Sequence, residues 1–201
     1  MKKCLLYGNC QAEAMKFHFS KIESFNDKYE IQQIKPVHFL TSEDVPELLK
    51  KIEETDLLIH QPISDNYKGL KELGSNFLKS KMKNGSVALS FPSIYFKGYN
   101  PEMIGLKNFN KTNYQGPFSY YDGQLMYEVF TGDQDVNSLI SKINDESYFC
   151  KEKVIEAFND SLNTLKQREK GLDLTVSDII EKHASKEKLF HVFNHPSLTI
   201  I

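Results

Sequence analysis

The chain has 201 residues, 40% of them hydrophobic and 26% charged, the proportions of a water-soluble globular protein long enough to bury a core within one domain. Its formal net charge is -2, and Arg168 is the one arginine among 25 basic residues, which excludes the arginine-rich profile of a dedicated nucleic-acid binder. No apolar run is long enough to span a bilayer, and the three cysteines, Cys4, Cys10 and Cys150, lack the spacing of a disulfide framework or a zinc site, so no metal is expected.

Taken in chain order, the first element is the apolar run Cys4 to Tyr7, which stops at Gly8-Asn9-Cys10. That run is too short for a secretory signal and is interrupted by Gly8 and Asn9, so a cytoplasmic protein is expected. Helical spacing follows over Ala12 to Ile22, then a strand-like run from Tyr29 to Ile34. The stretch Thr41-Ser42-Glu43-Asp44 has the form of a capping box opening a helix that includes Leu48 to Ile52. Leu57 to His60 reads as a third strand. Leu70, Leu73, Phe77 and Leu78 recur near the helical period, and Val87 to Phe91 reads as a fourth strand. Alternating strands and helices predict an α/β fold with three α/β/α layers around a parallel sheet.

Beyond Phe91 the pattern changes to a long stretch rich in Gly, Pro, Asn and aromatic residues. Helical patterns resume at about Tyr121 to Phe130, Val136 to Ile143 and Lys151 to Lys170, and Thr175-Val176-Ser177-Asp178 has the form of a second capping box, opening a helix to Lys182. Lys188 to Phe193 closes the pattern as a strand or extended segment before Asn194-His195-Pro196-Ser197. Residues 1–201 are therefore read as a single α/β domain, with about 92–185 as a loop-rich and helical insertion or cap and a helical second half.

Cys10 is the residue whose position asks for an explanation. At the first turn of a helix, unpaired backbone N–H groups and the helix dipole favour an anion, so a thiolate is favoured there and a nucleophilic role follows. Asn9 is suited to cap that helix, and Gly8 to let the backbone turn. The alternative is a small packed residue at a strand-helix junction, the role expected of Cys4 within the strand. A cysteine nucleophile needs a base, and two of the six histidines stand out: His195, in a proline-stiffened turn, and His60, at the end of the third predicted strand. In open parallel sheets ligands bind outside the carboxyl ends of the strands, which is where Cys10, His60 and Gln61 fall. Gln61 or Asn9, with the backbone N–H of Cys10 or Gln11, is expected to hold a developing oxyanion.

Gly8-Asn9-Cys10-Gln11, His60-Gln61-Pro62 after a strand, Phe91-Pro92 through Gly98-Tyr99-Asn100-Pro101, and Asn194-His195-Pro196-Ser197 together resemble the WcbI-like polysaccharide biosynthesis family over nearly the whole chain. That family looks like a cysteine-bearing variant of the SGNH (GDSL-like) hydrolase fold, with flavodoxin-like layering and Gly-Asn-Cys in the nucleophile block. The resemblance implies a cytoplasmic bacterial enzyme that binds coenzyme A (CoA) and transfers acetyl groups in capsular or surface polysaccharide assembly. In that mapping Cys10 is the nucleophile and His195 the base. The acid that SGNH enzymes place three residues before the histidine is replaced here by Val192, and a Cys-His pair works without it because a thiol needs less activation than a hydroxyl.

The expected substrates are acetyl-CoA and a sugar or polysaccharide-precursor acceptor, with no nucleic acid and no membrane span; a homo-oligomer is compatible with the chain. Gly8, Asn9, Gln11, His60, Gln61 and Asn194 are the expected oxyanion and substrate contacts. Tyr67 and Tyr99 suit stacking on a sugar or adenine, while Arg168 and Lys97 are the candidate partners of the CoA phosphates. Two alternatives remain. One is a cysteine esterase or deacetylase on carbohydrate, in which water replaces the sugar; the other is a non-catalytic module of polysaccharide assembly.

Overall fold

A computed structural model of the chain describes residues 1–99, 127, 131–132, 135–145, 147–148 and 150–184. Four strands, β1 (Lys2–Tyr7), β2 (Tyr29–Gln32), β3 (Leu57–His60) and β4 (Val87–Ser90), form one sheet in the order β2-β1-β3-β4. All three pairings are parallel, and the register sets Tyr7 opposite His60 and His60 opposite Ser90. The carboxyl ends of β1, β3 and β4 therefore stop on one line. Strand order reverses between β1 and β3, which makes the carboxyl ends of these two strands the switch point where such sheets open a crevice.

Alternation along the strands divides the core in two. Leu5, Tyr7 and Leu58 face Leu48 and Ile52 of helix α3 (Val45–Glu54) and Leu78 of α4 (Ser75–Lys81). Cys4, Leu6, Leu57 and Ile59 face Ala12, Met15 and Phe19 of α1 (Cys10–Phe19) and Phe25 of α2 (Glu23–Asn26). Three α/β/α layers result, as the alternating pattern predicts. The Tyr7 hydroxyl crosses the first core to donate to the Leu73 carbonyl at 2.7 Å, so this buried phenol leaves no polar atom unpaired.

The Thr41–Asp44 capping box is present, over a 3-10 turn (Ser42–Asp44) that runs into α3. Helices α5 (Val136–Ile143), α6 (Lys151–Arg168) and α7 (Ser177–His183) follow. At α7 the Glu169 carboxylate receives the Val176 N–H at 2.6 Å and the Ser177 N–H at 3.0 Å, and it also takes the Ser177 hydroxyl. A buried carboxylate eight residues upstream thus caps the helix that the Thr175–Asp178 pattern announces.

The chain divides into two compact units. One holds Met1–Ser93 and Gln167–Ile179; the other holds Ile94–Lys166 and the stretch from Ile180. The segment 167–179 belongs to the sheet unit. Its anchor is β4, where the Ser90 N–H and hydroxyl donate to Asp173 Oδ2 at 2.8 and 2.6 Å, and Leu174 N–H donates to the Ser90 carbonyl at 2.9 Å. In the second unit, Phe96 packs edge-on against Phe158, and Tyr99 donates its hydroxyl to the Ala184 carbonyl at 2.7 Å. No helix among the described residues is long and apolar enough to cross a membrane.

Candidate active site

The turn after β1 is built by Asn9. Its backbone is extended (φ -80°, ψ -164°), and its side chain accepts the Gln11 N–H at 2.9 Å, the arrangement of a helix N-cap. Cys10 is therefore the first residue of α1, and its thiol is exposed to solvent. The Ala12 N–H donates to the Asn9 carbonyl at 3.0 Å. Of the two backbone donors expected for an oxyanion, that of Gln11 is thus spent on the cap. The Cys10 N–H has no partner among the described residues, so the donor that remains for an oxyanion is the one beside the sulfur. Cys4, by contrast, is wholly buried within β1, and burial pushes its thiol up to about 12.

Gln61 has a different task from the one expected of it. Its side-chain oxygen accepts the Asn9 N–H at 2.8 Å, and its side-chain nitrogen donates to the Gln11 oxygen at 3.0 Å. Its own N–H donates to the Tyr7 carbonyl at 2.9 Å, and only 3% of the residue is exposed. Gln61 is a buried clamp that ties the end of β3 to the Cys10 turn. Gly8 is glycine for the same reason: a Cβ there would lie 2.6 Å from the Gln61 side-chain oxygen. The Gly8 requirement is one of close approach across the strands. The Asn9 side-chain nitrogen donates to the Ser93 hydroxyl at 3.2 Å, which ties the turn to the segment after β4 as well.

His60 lies at the expected end of β3 but is only 3% exposed. Its Nδ1 stands 3.0 Å from the Gln61 carbonyl; a carbonyl only accepts, so Nδ1 carries the proton. Burial first, then the Lys79 charge, hold the imidazole below its ordinary 6.5, with the Gln61 carbonyl and Asp173 opposing them. A neutral, inward histidine supports the sheet end and is not placed to meet substrate. Because the folded state resists protonating His60, its contribution is fully present above about 6.5 and is lost as pH falls through the lower folded value. We expect the urea midpoint to fall between pH 7.5 and 5, and to fall less in His60→Gln; an unchanged pH slope in that variant would remove the assignment.

Those of the remaining expected site residues that are described lie on other elements. Tyr67 is half-buried against the core on the Tyr7 side of the sheet. Arg168 ends α6 as an exposed residue of the sheet unit, whereas Lys97 and Tyr99 belong to the other unit. Asn194 and His195 lie outside the described residues. One feature without a sequence signal is a cleft beside Asn9, between α1 and the connection after β2, lined by Glu13, Lys16, Gln33 and Lys35 among others. Single polar residues spread over a helix and a loop carry no motif, and the cleft exists only once β2 pairs with β1.

Comparison with known proteins gives a consistent picture. The model of a family described as polysaccharide biosynthesis enzyme WcbI matches residues 3–201. A solved structure described as WcbI, a novel polysaccharide biosynthesis enzyme, is similar at 26% identity with a TM-score of 0.87 over 98% of this chain. The chain spans 65% of that structure's length. That structure is further described as native protein without a disulfide bond between CoA and one of its cysteines. No curated protein matches.

Proposed function

The chain belongs to the WcbI family of polysaccharide biosynthesis enzymes, and on that premise we propose that it is a CoA-dependent acetyltransferase acting on a sugar of a capsular or surface polysaccharide precursor. The observation that carries this reading is the exposed Cys10 at the first position of α1, clamped from β3 by Gln61. The naming of CoA together with a cysteine in a similar structure supports it.

In this reaction the Cys10 sulfur, as thiolate, attacks the thioester carbon of acetyl-CoA. The carbonyl π electrons move to oxygen, and the Cys10 backbone N–H stabilises that oxyanion at the positive end of α1. Collapse breaks the carbon–sulfur bond, CoA leaves as a thiolate that takes up a proton, and acetyl-Cys10 remains. A sugar hydroxyl, giving its proton to His195, then attacks the acetyl carbon and returns Cys10 as the thiolate. Asn194 belongs with His195 in this reading as a substrate contact.

Intact mass spectrometry after incubation with acetyl-CoA and no acceptor tests it. An acetyl-sized gain that maps to Cys10, and is absent from Cys10→Ser, is the expected result. No gain in a protein that binds CoA would replace the covalent step by direct transfer. Steady release of acetate without an acceptor would point to the esterase.

A further inference from the structure

The oxyanion of the proposed transfer has a single donor so far, the Cys10 backbone N–H, whereas acyl-transfer sites aim several preorganised donors at the developing charge. Most polar groups of the corner are committed elsewhere. The Gln11 N–H is spent on the Asn9 cap at 2.9 Å, and the Gln61 side-chain nitrogen donates to the Gln11 oxygen at 3.0 Å. His60 carries its proton on Nδ1, 3.0 Å from the Gln61 carbonyl, so its other ring nitrogen only accepts. Asn9 Nδ2 gives a hydrogen to the Ser93 hydroxyl at 3.2 Å.

That last bond leaves Ser93 with something to offer. A serine oxygen has one hydrogen to give and lone pairs for two. The Asn9 amide occupies one lone pair, which turns the Ser93 O–H away from the amide, and no described residue accepts its hydrogen. The place of this hydroxyl is fixed from two sides. Asn9 Oδ1 receives the Gln11 N–H in the first turn of α1 while Nδ2 of the same side chain reaches Ser93, so the hydroxyl stands one carboxamide away from the helix end that Cys10 opens. From the other side, the Phe91 N–H donates to the His60 carbonyl at 2.9 Å, and both Phe91 and Pro92 are buried. The Pro92 ring fixes its own φ, so the chain leaving β4 delivers Ser93 close to the line on which the strands stop. Ser93 itself is half-buried, within reach of a ligand. It belongs with Asn9 and Cys10 to the sheet unit.

We propose that Ser93 is a catalytic residue whose hydroxyl, together with the Cys10 N–H, donates a hydrogen bond to the acetyl oxygen as it becomes an oxyanion. It does so when Cys10 attacks acetyl-CoA and again when the sugar attacks acetyl-Cys10. The proton stays on Ser93 in both steps. This rests on the reading of Cys10 as the acetylated nucleophile. Asn9 then has two tasks: its oxygen caps α1 and its nitrogen aims Ser93. An aspartate at position 9 would cap the helix as well, but its carboxylate would take the Ser93 hydrogen and withdraw it from the oxyanion.

Two reactions of the same sulfur separate this role from a structural one. Acetylation of Cys10 by acetyl-CoA passes through an oxyanion; alkylation by iodoacetamide displaces iodide and forms none. Ser93→Ala is expected to slow single-turnover acetylation, followed by intact mass, about a hundredfold. The rate and pH profile of alkylation, and the CoA affinity read by calorimetry, are expected to stay as in the parent. Ser93→Thr, which keeps the hydroxyl, should restore most of the acetylation rate. In an Asn9→Asp background, Ser93→Ala should cost nothing further, because the hydroxyl is already diverted. Thermal melts establish that the variants are folded. Acetylation of Ser93→Ala within about threefold of the parent, alkylation falling in step with acetylation, or full additivity with Asn9→Asp would overturn the role of Ser93 and leave acetyl-Cys10 standing. Absence of acetyl-Cys10 in the unsubstituted protein would overturn both.

Discussion

Cys10→Ser is expected to lower CoA-dependent acetyl transfer at least about a thousandfold, with CoA affinity nearly kept. A serine hydroxyl at the same place meets the same helix end but is far less ionised and needs a strong base to attack a thioester. The effect should be confined to that cysteine. Cys4→Ser removes a thiol that is wholly buried and pushed up to about 12, so any loss there should follow stability and leave the acetylated fraction of folded protein unchanged. The comparison is read by initial rates for the two variants against the parent, with acetyl-Cys10 quantified in parallel. A Cys10→Ser enzyme within about tenfold of the parent would mean that the sulfur only lines the route of the ligand and that transfer is direct.

The reason Cys10 could be singled out from sequence is that its position is set locally. A strand end, a cap and a helix start are encoded within the ten residues from Lys3 to Ala12, and the observed cap is the one the Asn9 side chain allows. The bounds of β3 agree with the apolar run for a similar reason, since all four of its residues are buried. Where sequence and structure part, the cause is a contact distant in the chain. Strand β2 ends at Gln32, short of Ile34, because the chain turns toward Pro36 and Val37 to pair with Gly8. Strand β4 ends at Ser90, short of Phe91, where Asp173 and Leu174 take over the bonding of Ser90 from 83 and 84 residues away. No periodicity announces such partners. The same holds for Gln61, whose type suggests an oxyanion donor and whose environment makes it a clamp. Residue type specifies which hydrogen bonds are available, and only the fold decides who receives them.

Gly8→Ala is expected to destabilise the sheet unit by about 2–3 kcal/mol, and the partner of that loss can be named in advance. The new Cβ would stand 2.6 Å from the Gln61 side-chain oxygen and 3.0 Å from its amide carbon. The end of a glutamine side chain is ordinarily free to step aside, but here its oxygen receives Asn9 N–H and its nitrogen is bonded to Gln11. Moving it strands a part-buried amide and loosens the turn that presents Cys10. Gln61→Ala removes the same bonds directly and should cost about 1–3 kcal/mol. Once Gln61 is alanine, the methyl at residue 8 meets no obstacle, so the double variant should be little worse than Gln61→Ala alone. A double-mutant cycle read by urea midpoints should therefore give a coupling close to the whole Gly8→Ala loss, about 2–3 kcal/mol, between the two positions. Additive losses would mean that Gly8 is required for its own backbone conformation and that Gln61 is a bystander. Coupled losses, with acetylation of Cys10 falling in step, would show that the nucleophile's position is set across the switch point by a side chain on the neighbouring strand.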